Sequence, residues 1–257
     1  MSTVSYPNYP DLKNKTVVIT GGGSGIGESF VEAFAGQGSR VAFLDIQEEV
    51  SNELVRKLAS TGQDTLFVKC DLTDIEALKK AVTEVENKLG AVRVLINNAA
   101  NDERHEPEDV TLEYWEQRLR LNFSHHFFVA QAVKPAMAEA GGGAIINMGS
   151  CSWHMAMETM PGYTSSKAAI EGLTQSLARA YGKDRIRVNC IIPGQVWTSR
   201  QMKEIMTPEY ETFMTEKQCL PDQILPEDIA QLALFLASDA GRMCTRRNYF
   251  MDAGIGA

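Results

Sequence analysis

Seven short apolar runs, rich in β-branched residues, alternate along this chain with longer segments whose apolar residues recur every three or four positions. A strand that is apolar throughout is buried on both faces, and a helical segment between two such strands makes the crossover that parallel pairing requires. The pattern predicts an α/β fold, a doubly wound parallel sheet of seven strands with helices on both faces. The predicted strands are 16–20, 40–45, 65–70, 92–97, 144–148, 185–192 and 248–252, and the helical segments are 25–37, 47–61, 74–89, 111–140, 161–182 and 226–239.

One domain accounts for the whole sequence. The chain has 257 residues, which is within the range of single α/β domains. We see no internal repeat, low-complexity tract or linker that divides it, so we assign 1–257 to one domain. The segment 193–225 follows the sixth strand and is too long for a simple connection, so we expect it to form a lid over the substrate.

Charge and cysteine content restrict the partners of this protein. The formal net charge is −8 and the basic residues are scattered, which disfavours binding to nucleic acid or to an anionic membrane. No segment has the length of a membrane span, and the first residues do not look like a secretion signal. The five cysteines are odd in number and widely separated, which disfavours a disulfide framework or a metal site. We expect a soluble cytoplasmic protein.

Residues 20–27, TGGGSGIG, form a turn between the first predicted strand and the first predicted helix. Such a turn directs the N–H groups of a helix N-terminus at the pyrophosphate of a dinucleotide. Glycines alone also serve tight packing, but Asp45 ends the second strand, where a carboxylate binds the ribose hydroxyls of adenosine. The combination predicts a Rossmann fold with a dinucleotide held by Gly21, Ser24, Gly25, Ile26 and Asp45.

The choice of cofactor follows from the same carboxylate. Asp45 would repel a 2′-phosphate, and neither Ser24 nor Ile46 supplies a cation to attract one, so NAD is favoured over NADP. Two further strand ends, 70–72 and 97–100, come where an adenine and a ribose would lie, although ordinary turn chemistry explains each equally well. From these positions we add Ile46, Asp71, Leu72 and Asn98 to the predicted cofactor contacts.

A second group of residues carries acid–base chemistry. Tyr163 and Lys167 are four residues apart on one predicted helix, so they share a face on which an ammonium can stabilise a phenolate. Ser150 follows the fifth strand at the carboxyl edge of the sheet, where open α/β proteins bind ligands. Asn122 is a poor helix former inside 111–140, where it can loosen a turn and free a carbonyl to hold water near Lys167. Taken singly, these residues also have ordinary structural explanations.

Together the motifs resemble the short-chain dehydrogenase/reductase family over essentially the whole chain. The turn at 20–27, the acid Asp45, the pair Asp71 and Leu72, and the NNAA stretch at 97–100 match the family's motifs. The resemblance implies a catalytic tetrad of Asn122, Ser150, Tyr163 and Lys167. It also implies cofactor contacts from Tyr163, Lys167, Pro193, Val196 and Thr198.

Two positions depart from the family pattern. Ala100 stands where the family has a glycine, and 244–246 (CTR) stands where a Thr-Gly pair is common. The first is a small change near the cofactor. The second places Arg246 near the last strand, where it bears on subunit contacts, so we expect the mechanism to be unaffected.

The resemblance implies a mechanism of alcohol oxidation. Tyr163, as phenolate, removes the hydroxyl proton while a hydride passes to NAD, and Ser150 hydrogen-bonds the substrate oxygen. Lys167 lowers the pKa of Tyr163 and holds the nicotinamide ribose, and Asn122 anchors a water that relays the proton. The resemblance also implies a homotetramer. In it the apolar helices at 111–140 and 161–182 pair between subunits.

The loops expected above the nicotinamide are unusually polar. NDERH follows the fourth strand, CSWH follows the fifth, and Gln195 and Arg200 follow the sixth. Matched hydrogen bonds hold a polyhydroxylated ligand that an apolar pocket rejects, which indicates a sugar. The alternative interpretation is a solvated loop with Trp153 in the core. The predicted substrate contacts are Asn101, Arg104, Ser150, Ser152, His154, Tyr163 and Gln195.

Four short stretches, at 101–105, 152–154, 218–220 and 251–254, resemble bacterial NAD-dependent aldose 1-dehydrogenases, those of the D-xylose type in particular. This resemblance implies oxidation of the C1 hydroxyl of a pentose or 6-deoxyhexose to the lactone. An NAD(H)-dependent carbonyl or 3-oxoacyl reductase, or another secondary-alcohol dehydrogenase, is the alternative within the family. A silent NAD sensor or a methyltransferase would have no use for the Tyr163 and Lys167 pair.

Overall fold

The computed structural model describes residues 6–204 and 207–255, with the side chain of Glu204 excepted. All seven predicted strands are present, each within one residue of its predicted ends, and they form one parallel sheet, which confirms the predicted fold class. The strands are β1 (Thr16–Thr20), β2 (Arg40–Asp45), β3 (Thr65–Lys69), β4 (Val92–Asn97), β5 (Gly143–Met148), β6 (Ile186–Pro193) and β7 (Asn248–Met251). Within the described ranges no helix is long and apolar enough to cross a membrane.

The sheet order β3-β2-β1-β4-β5-β6-β7 creates a crevice at one point. The strand order reverses between β1 and β4, and open α/β sheets bind ligands at such a switch point. Thr20 of β1 pairs with Leu44 of β2 and with Asn97 of β4, so the carboxyl ends of these strands lie level. The loops that leave them therefore meet at one edge of the sheet.

Helices cover both faces of the sheet. Alternate residues of β1 face opposite sides, so that Val17 and Ile19 join one apolar core while Val18 joins the other. The first core is covered by α1, α2 and α9 and the second by α3, α5 and α6. The helices found in the described residues are α1 (Gly25–Gly36), α2 (Glu48–Ala59), α3 (Ile75–Leu89), α4 (Leu112–Leu119), α5 (His125–Glu139), α6 (Pro161–Tyr181), α7 (Ser199–Glu204), α8 (Pro208–Lys217) and α9 (Pro226–Ala237).

The long helical segment predicted at 111–140 is interrupted in its middle. A five-residue π-helical turn, Arg120–Ser124, separates α4 from α5. Asn122 lies in this turn and is fully buried. The asparagine therefore marks a wider turn, as its low helix propensity predicts, and π turns of this kind occur frequently at functional sites.

The segment 193–225, which is predicted to form a lid and is called the lid below, contains the short helices α7 and α8 in its described part. Its two ends are joined by a bridge between Val196 and Ile224, in which the N–H of Trp197 donates to the carbonyl of Ile224 at 2.9 Å. The side chains of Val196 and Trp197 are buried. The base of the lid is thus part of the core, whereas α7 and α8 lie on loops outside the sheet.

Candidate active site

The turn between β1 and α1 depends on glycine at several positions. Gly21 and Gly25 have φ angles of 64° and 59°, in the left-handed region that favours glycine. A Cβ atom on Gly27 would lie 1.8 Å from the carbonyl oxygen of Gly21, so a side chain does not fit there. Ser24 makes no side-chain capping bond to α1, and the first-turn N–H groups, including that of Ile26, keep their capacity to bind a phosphate. This turn fits the pyrophosphate of a dinucleotide.

Asp45 ends β2 beside this turn and is 5% exposed. Its Oδ2 accepts the N–H of Gly23 at 2.8 Å, and its Oδ1 accepts the N–H of Gln47 at 2.9 Å. The two bonds fix the carboxylate and leave a further lone pair on each oxygen, which suits the two hydroxyls of a ribose. The next side chain, Ile46, is exposed and apolar, so it brings no cation to the carboxylate.

The other predicted cofactor contacts near β3 and β4 shape the crevice. The Nδ2 of Asn98 donates to the carbonyls of Thr20 and Gly21, at 3.1 and 3.0 Å, and so ties the end of β4 to the glycine turn. The Oδ1 of Asp71 accepts both the N–H and the hydroxyl of Thr73, at 2.9 and 2.7 Å, which is a local turn. Leu72 is buried.

The helix α6 places Tyr163 and Lys167 side by side, as their spacing predicts. Lys167 is 1% exposed, and its Nζ donates to the carbonyl of Met148 at 2.8 Å. The same Nζ lies 5.4 Å from the centroid of the Tyr163 ring. Burial lowers the pKa of Lys167 to about 8, because the charged ammonium loses its hydration.

Burial acts on Tyr163 in the other direction. It raises the pKa of the phenol, and the negative charge of Asp102 raises that pKa further. A hydrogen bond with Ser150 and the charge of Arg104 oppose this rise. Ionisation of Tyr163 at neutral pH therefore needs more cationic charge beside the ring than the described residues supply.

The π turn brings Asn122 to the loop that follows β4. The Oδ1 of Asn122 accepts the N–H of Asn101 at 2.7 Å, and its Nδ2 is buried without a partner among the described residues. The side chain of Asn101 also accepts the N–H of Glu103 at 2.8 Å. Asn101 therefore lies beside the tetrad, where its side chain shapes this loop.

The same loop supports the first turn of α6 through a residue that sequence reasoning missed. The N–H of His105 donates to the carbonyl of Thr159 at 2.8 Å, and the Nε2 of His105 accepts the N–H of Gly162 at 3.4 Å. The N-cap residue, Met160, makes no side-chain bond of its own. The imidazole thus takes the place of a capping side chain next to Tyr163.

Several polar side chains surround Tyr163, and we call this group the polar chamber: Ser150, Ser152, Arg104, Tyr210 and Gln195. The N–H of Ser152 donates to the Oγ of Ser150 at 3.1 Å, while the Oγ of Ser152 is buried without a partner among the described residues. A buried hydroxyl without a hydrogen bond costs about 1–3 kcal/mol. A hydroxyl group of a bound substrate would recover that energy.

The charged and amide groups of the chamber come from the loop after β4 and from the lid. The charge of Arg104 acts on both Tyr163 and Tyr210, and the hydroxyl of Tyr210 donates to the Oε1 of Gln195 at 3.3 Å. Asp102 and Tyr210 were not among the predicted contacts. Asp102 lies within the polar NDERH stretch and could have been selected, whereas nothing near Tyr210 in the sequence connects it to Gln195.

The first residues of the lid cross the glycine turn. Pro193 ends β6, and Val196 is buried in the bridge at the base of the lid. The Cγ2 of Thr198 lies 3.5 Å from the place that a Cβ atom on Gly25 would occupy. Thr198 therefore lies beside the glycine turn, whereas Pro193 and Val196 lie at the base of the lid.

The structure does not bring His154 to the other predicted substrate contacts. Its Nε2 lies 3.0 Å from the Oε1 of Glu171, and its ring packs on Trp153 with centroids 3.7 Å apart. Glu171 is two turns, roughly 12 Å, beyond Tyr163 along α6. Glu171 also accepts from the indole of Trp153 and from the amide of Asn248. His154 belongs to a cluster that anchors the loop after β5 to α6 and β7.

Arg246, one of the two departures from the family pattern, lies between β6 and α6. Its φ angle is 61°, its N–H donates to the carbonyl of Val188 at 2.7 Å, and its Nε donates to the Oε1 of Gln175 at 2.8 Å. Gln175 is in the last part of α6, three turns beyond Tyr163. Arg246 therefore lies away from Tyr163, which agrees with the expectation that it leaves the mechanism unaffected.

Comparison with known proteins gives a match over nearly the whole chain. A family model described as enoyl-(acyl carrier protein) reductase matches residues 21–256. The chain is 49% identical over 246 residues to the D-xylose 1-dehydrogenase of Caulobacter vibrioides, with 96% of this chain and 97% of that protein covered. It is 46% identical over 254 residues to the "Probable galactose dehydrogenase GalD" of Rhizobium meliloti, with 98% and 99% covered.

A solved structure shows the same fold in a protein with its cofactor. It is a blue fluorescent protein from a metagenomic library in complex with NADPH, with a TM-score of 0.88 and 31% identity. The match covers 96% of this chain and 100% of that one. The fold of this chain, with its crevice and its glycine turn, is therefore that of a nicotinamide-dependent oxidoreductase that acts on CH–OH groups.

Proposed function

Because the chain belongs to the short-chain dehydrogenase/reductase family, we propose that it is an NAD-dependent sugar 1-dehydrogenase, which oxidises the C1 hydroxyl of a free aldopentose or 6-deoxyaldohexose to the lactone. One observation carries the proposal. The N–H of Ser152 donates to Ser150, which is hydrogen-bonded to Tyr163, and the hydroxyl of the same Ser152 is buried without a partner among the described residues. An alcohol that reacts at Tyr163 and carries further hydroxyl groups suits this arrangement. The relatives named for D-xylose and galactose support a sugar.

In this proposal Tyr163 takes the proton of the C1 hydroxyl, and Ser150 donates a hydrogen bond to the same oxygen. NAD, when bound, supplies the hydride acceptor and a cationic ring. Lys167, fixed by the carbonyl of Met148, favours the phenolate and would hold the nicotinamide ribose. Asn122 and its π turn hold a water that carries the proton from Lys167 towards solvent. The reverse reaction uses the same groups.

The preference for NAD rests on Asp45. The fold is compatible with NADPH in the metagenomic protein, so the choice between the two cofactors depends on the side chains at the adenosine ribose. In this chain a buried carboxylate occupies that position, and Ile46 provides no cation to offset it. A 2′-phosphate would meet a fixed negative charge, whereas the ribose hydroxyls of NAD would donate to it.

The proposed contacts follow from these positions. For the cofactor they are Gly21, Ser24, Gly25, Ile26, Asp45, Ile46, Asp71, Leu72, Asn98, Tyr163, Lys167, Pro193, Val196 and Thr198. For the sugar they are Asn101, Arg104, Ser150, Ser152, Tyr163 and Gln195, to which we add Tyr210 because its hydroxyl donates to Gln195. His154 takes no part in this proposal, because its Nε2 is directed at Glu171.

An NAD(H)-dependent carbonyl or 3-oxoacyl reductase is the second candidate. The description of the matching family model favours it. The polar chamber argues against it, since an acyl chain prefers an apolar pocket and would leave the Ser152 hydroxyl unpaired.

A screen for NADH formation separates the two candidates. The purified protein is mixed with NAD and, in turn, with aldopentoses, 6-deoxyaldohexoses, polyols, steroids and 3-hydroxyacyl thioesters. With aldoses we expect absorbance to increase at the NADH band. Mass spectrometry should identify the lactone as the product. A parallel screen with NADH follows its consumption with keto compounds. Oxidation of a 3-hydroxyacyl thioester with NAD, or reduction of a keto compound with NADH, without oxidation of any aldose would contradict a sugar substrate and leave the tetrad assignment intact.

We further propose a homotetramer in the cytoplasm. Phe127, Phe128 and Leu173 on α5 and α6 are only partly buried, and a neighbouring subunit would cover them. The five cysteines form no disulfide, which agrees with a reducing compartment. Light scattering at micromolar concentration should give four times the chain mass, and a monomer would contradict the assembly.

A further inference from the structure

Asp102 connects the loop after β4 with the lid, and its partner Arg200 is 98 residues away in the sequence. Asp102 itself lies in that loop, and its side chain is 18% exposed. The Nη2 of Arg200 donates to its Oδ1 at 2.6 Å, and the Nε2 of Gln201 donates to its Oδ2 at 3.2 Å. Both partners belong to α7, so one carboxylate holds two consecutive residues of the lid.

The connection extends through the lid by side chains. The Nε2 of Gln195 donates to the Oε1 of Gln201 at 3.3 Å, and the hydroxyl of Tyr210 donates to the Oε1 of Gln195 at 3.3 Å. Gln195 precedes α7 and Tyr210 is in α8. Asp102 is therefore the fixed end of a hydrogen-bonded chain that reaches both lid helices.

This chain of bonds also determines where the lid lies. Thr198, two residues before Arg200, adjoins Gly25 of the cofactor turn, and its Oγ1 accepts the N–H of Gln201 at 3.2 Å. Holding the start of α7 against Asp102 therefore keeps the lid over the cofactor turn and over the chamber that contains Ser152.

We propose that Asp102 is a positioning residue that holds the lid closed over the substrate, with Arg200 and Gln201 as its partners. This inference rests on one part of the proposed function, namely that an alcohol reacts beside Tyr163 under the lid. The carboxylate also lies within electrostatic reach of the reacting group, since its charge raises the pKa of Tyr163. Tyr163 is also faced by Ser150 and Cys151 from the loop after β5 and by Arg104 from the loop after β4. On α6 itself, the Nζ of Lys167 lies 5.4 Å from the centroid of the Tyr163 ring.

Steady-state kinetics on the enzyme with NAD test the holding role. Asp102→Asn keeps the shape and one acceptor but removes the charge, and Arg200→Gln removes the same ion pair from the side of the lid. Each should raise KM for the sugar roughly three- to tenfold and change KM for NAD less, since the pair is partly exposed. The double variant should add little to either single one.

Glu103→Gln is the matched control. Glu103 is the neighbouring acid in the same loop, and among the described residues its ion pair is with Arg118 of α4, at 3.0 Å, and not with the lid. This control should keep the wild-type KM for the sugar. A KM that rises equally in the control and in Asp102→Asn would assign the effect to the loop as a whole and would overturn the proposal.

The pH dependence of kcat/KM supplies a readout that a merely structural role would not change. Removing the charge of Asp102 lowers the pKa of Tyr163, so the rising limb of oxidation should move to lower pH in Asp102→Asn. In Arg200→Gln the carboxylate loses its counter-charge, so the limb should move to higher pH. Limbs that stay at the wild-type pH in both variants would overturn the proposal.

Limited trypsin digestion of the NAD-bound protein needs no substrate. Lys203 in α7 and Lys217 at the end of α8 are cleavage sites within the lid. Cleavage there should be faster in Asp102→Asn and Arg200→Gln than in the wild type, and unchanged in Glu103→Gln. If no aldose reacts, this experiment still decides the inference, and equal cleavage rates in all four proteins would reject it.

Discussion

The cofactor half and the substrate half of the site are built differently. Around the cofactor turn the polar side chains already have partners from their own surroundings: Asp45 accepts two backbone N–H groups, and Asn98 donates to two carbonyls. In the substrate half, Ser152 Oγ in the chamber and Asn122 Nδ2 in the π turn are buried without partners in the described part of the chain. The cofactor half is thus complete before binding, because the backbone forms it. The substrate half is completed by the substrate, because side chains from separate loops form it.

The largest expected effect separates chemistry from binding in the substrate half. Tyr163→Phe removes the hydroxyl that takes the proton, so kcat should fall by at least about 100-fold while NAD binding, measured by quenching of tryptophan fluorescence, stays nearly the same. Tyr181→Phe, the same change at the other end of α6, is the control and should keep kcat. A Tyr163→Phe enzyme with a tenth of the wild-type kcat would show that another group is the base.

The next effect concerns the residue that both halves share. Lys167→Met removes the ammonium that lies beside the phenol, so the pKa of Tyr163 should rise and the rising limb of oxidation against pH should move to higher pH. We also expect kcat at neutral pH to fall roughly tenfold or more. Lys183→Met, an exposed lysine just after α6, provides the control. An unmoved limb would exclude Lys167 as the source of phenolate stabilisation.

A third prediction tests whether the chamber alone recognises the sugar. Ser152→Ala removes a buried hydroxyl that the substrate is expected to pair, which is worth about 1–3 kcal/mol, so kcat/KM for the sugar should fall roughly five- to 150-fold. KM for NAD should not change, because the polar side chains around the cofactor turn have their own hydrogen-bond partners and do not depend on Ser152. Ser165→Ala, an exposed serine of α6, serves as control. A variant with wild-type sugar kinetics would remove Ser152 from the proposed contacts.

The fourth prediction changes the cofactor half and leaves the sugar contacts alone. Wild-type kcat/KM should favour NAD over NADP by at least about tenfold, or roughly 1.4 kcal/mol. Asp45→Ser with Ile46→Arg removes the repulsion and adds a phosphate partner, so this ratio should narrow while KM for the sugar stays constant. Equal use of both cofactors by the wild-type protein would refute the assignment to Asp45.

The smallest effect is expected at His154. Its Nε2 faces Glu171, so His154→Ala should change KM for the sugar by no more than about twofold and should instead lower the melting temperature. Glu171→Gln should lower that temperature as well, because it weakens the same cluster. A tenfold rise in KM for the sugar in His154→Ala would show instead that His154 contacts the sugar.

Much of the fold and of the cofactor half was predictable from the sequence. The strand ends are within one residue of prediction, since apolar runs of five to eight residues reflect burial on both faces of the sheet. Glycine positions such as Gly21 and Gly27 reflect backbone angles and close approach that other residues cannot adopt. The spacing of Tyr163 and Lys167 reflects helix geometry. In each case a local physical requirement leaves a pattern along the chain.

The substrate half was predictable only in part. The sequence indicated polar loops, and Ser152, Arg104 and Gln195 from these loops remain among the proposed sugar contacts. It could not indicate that His154 turns to Glu171, because that contact depends on how the loop after β5 packs on α6. Nor could it indicate the role of His105, whose partner Gly162 is 57 residues away.

By itself, therefore, the sequence determined the layers of the protein, the edge of the sheet at which the crevice lies, and the placement of Tyr163 and Lys167 side by side on α6. Only the tertiary structure decided which loop side chains meet, above all that Asp102 holds Arg200, 98 residues further along the chain. The reason is physical. Helices and strands repeat their geometry, so their side chains are placed by counting residues. A loop has no repeat, and its side chains acquire partners only when the core has brought the ends of that loop together.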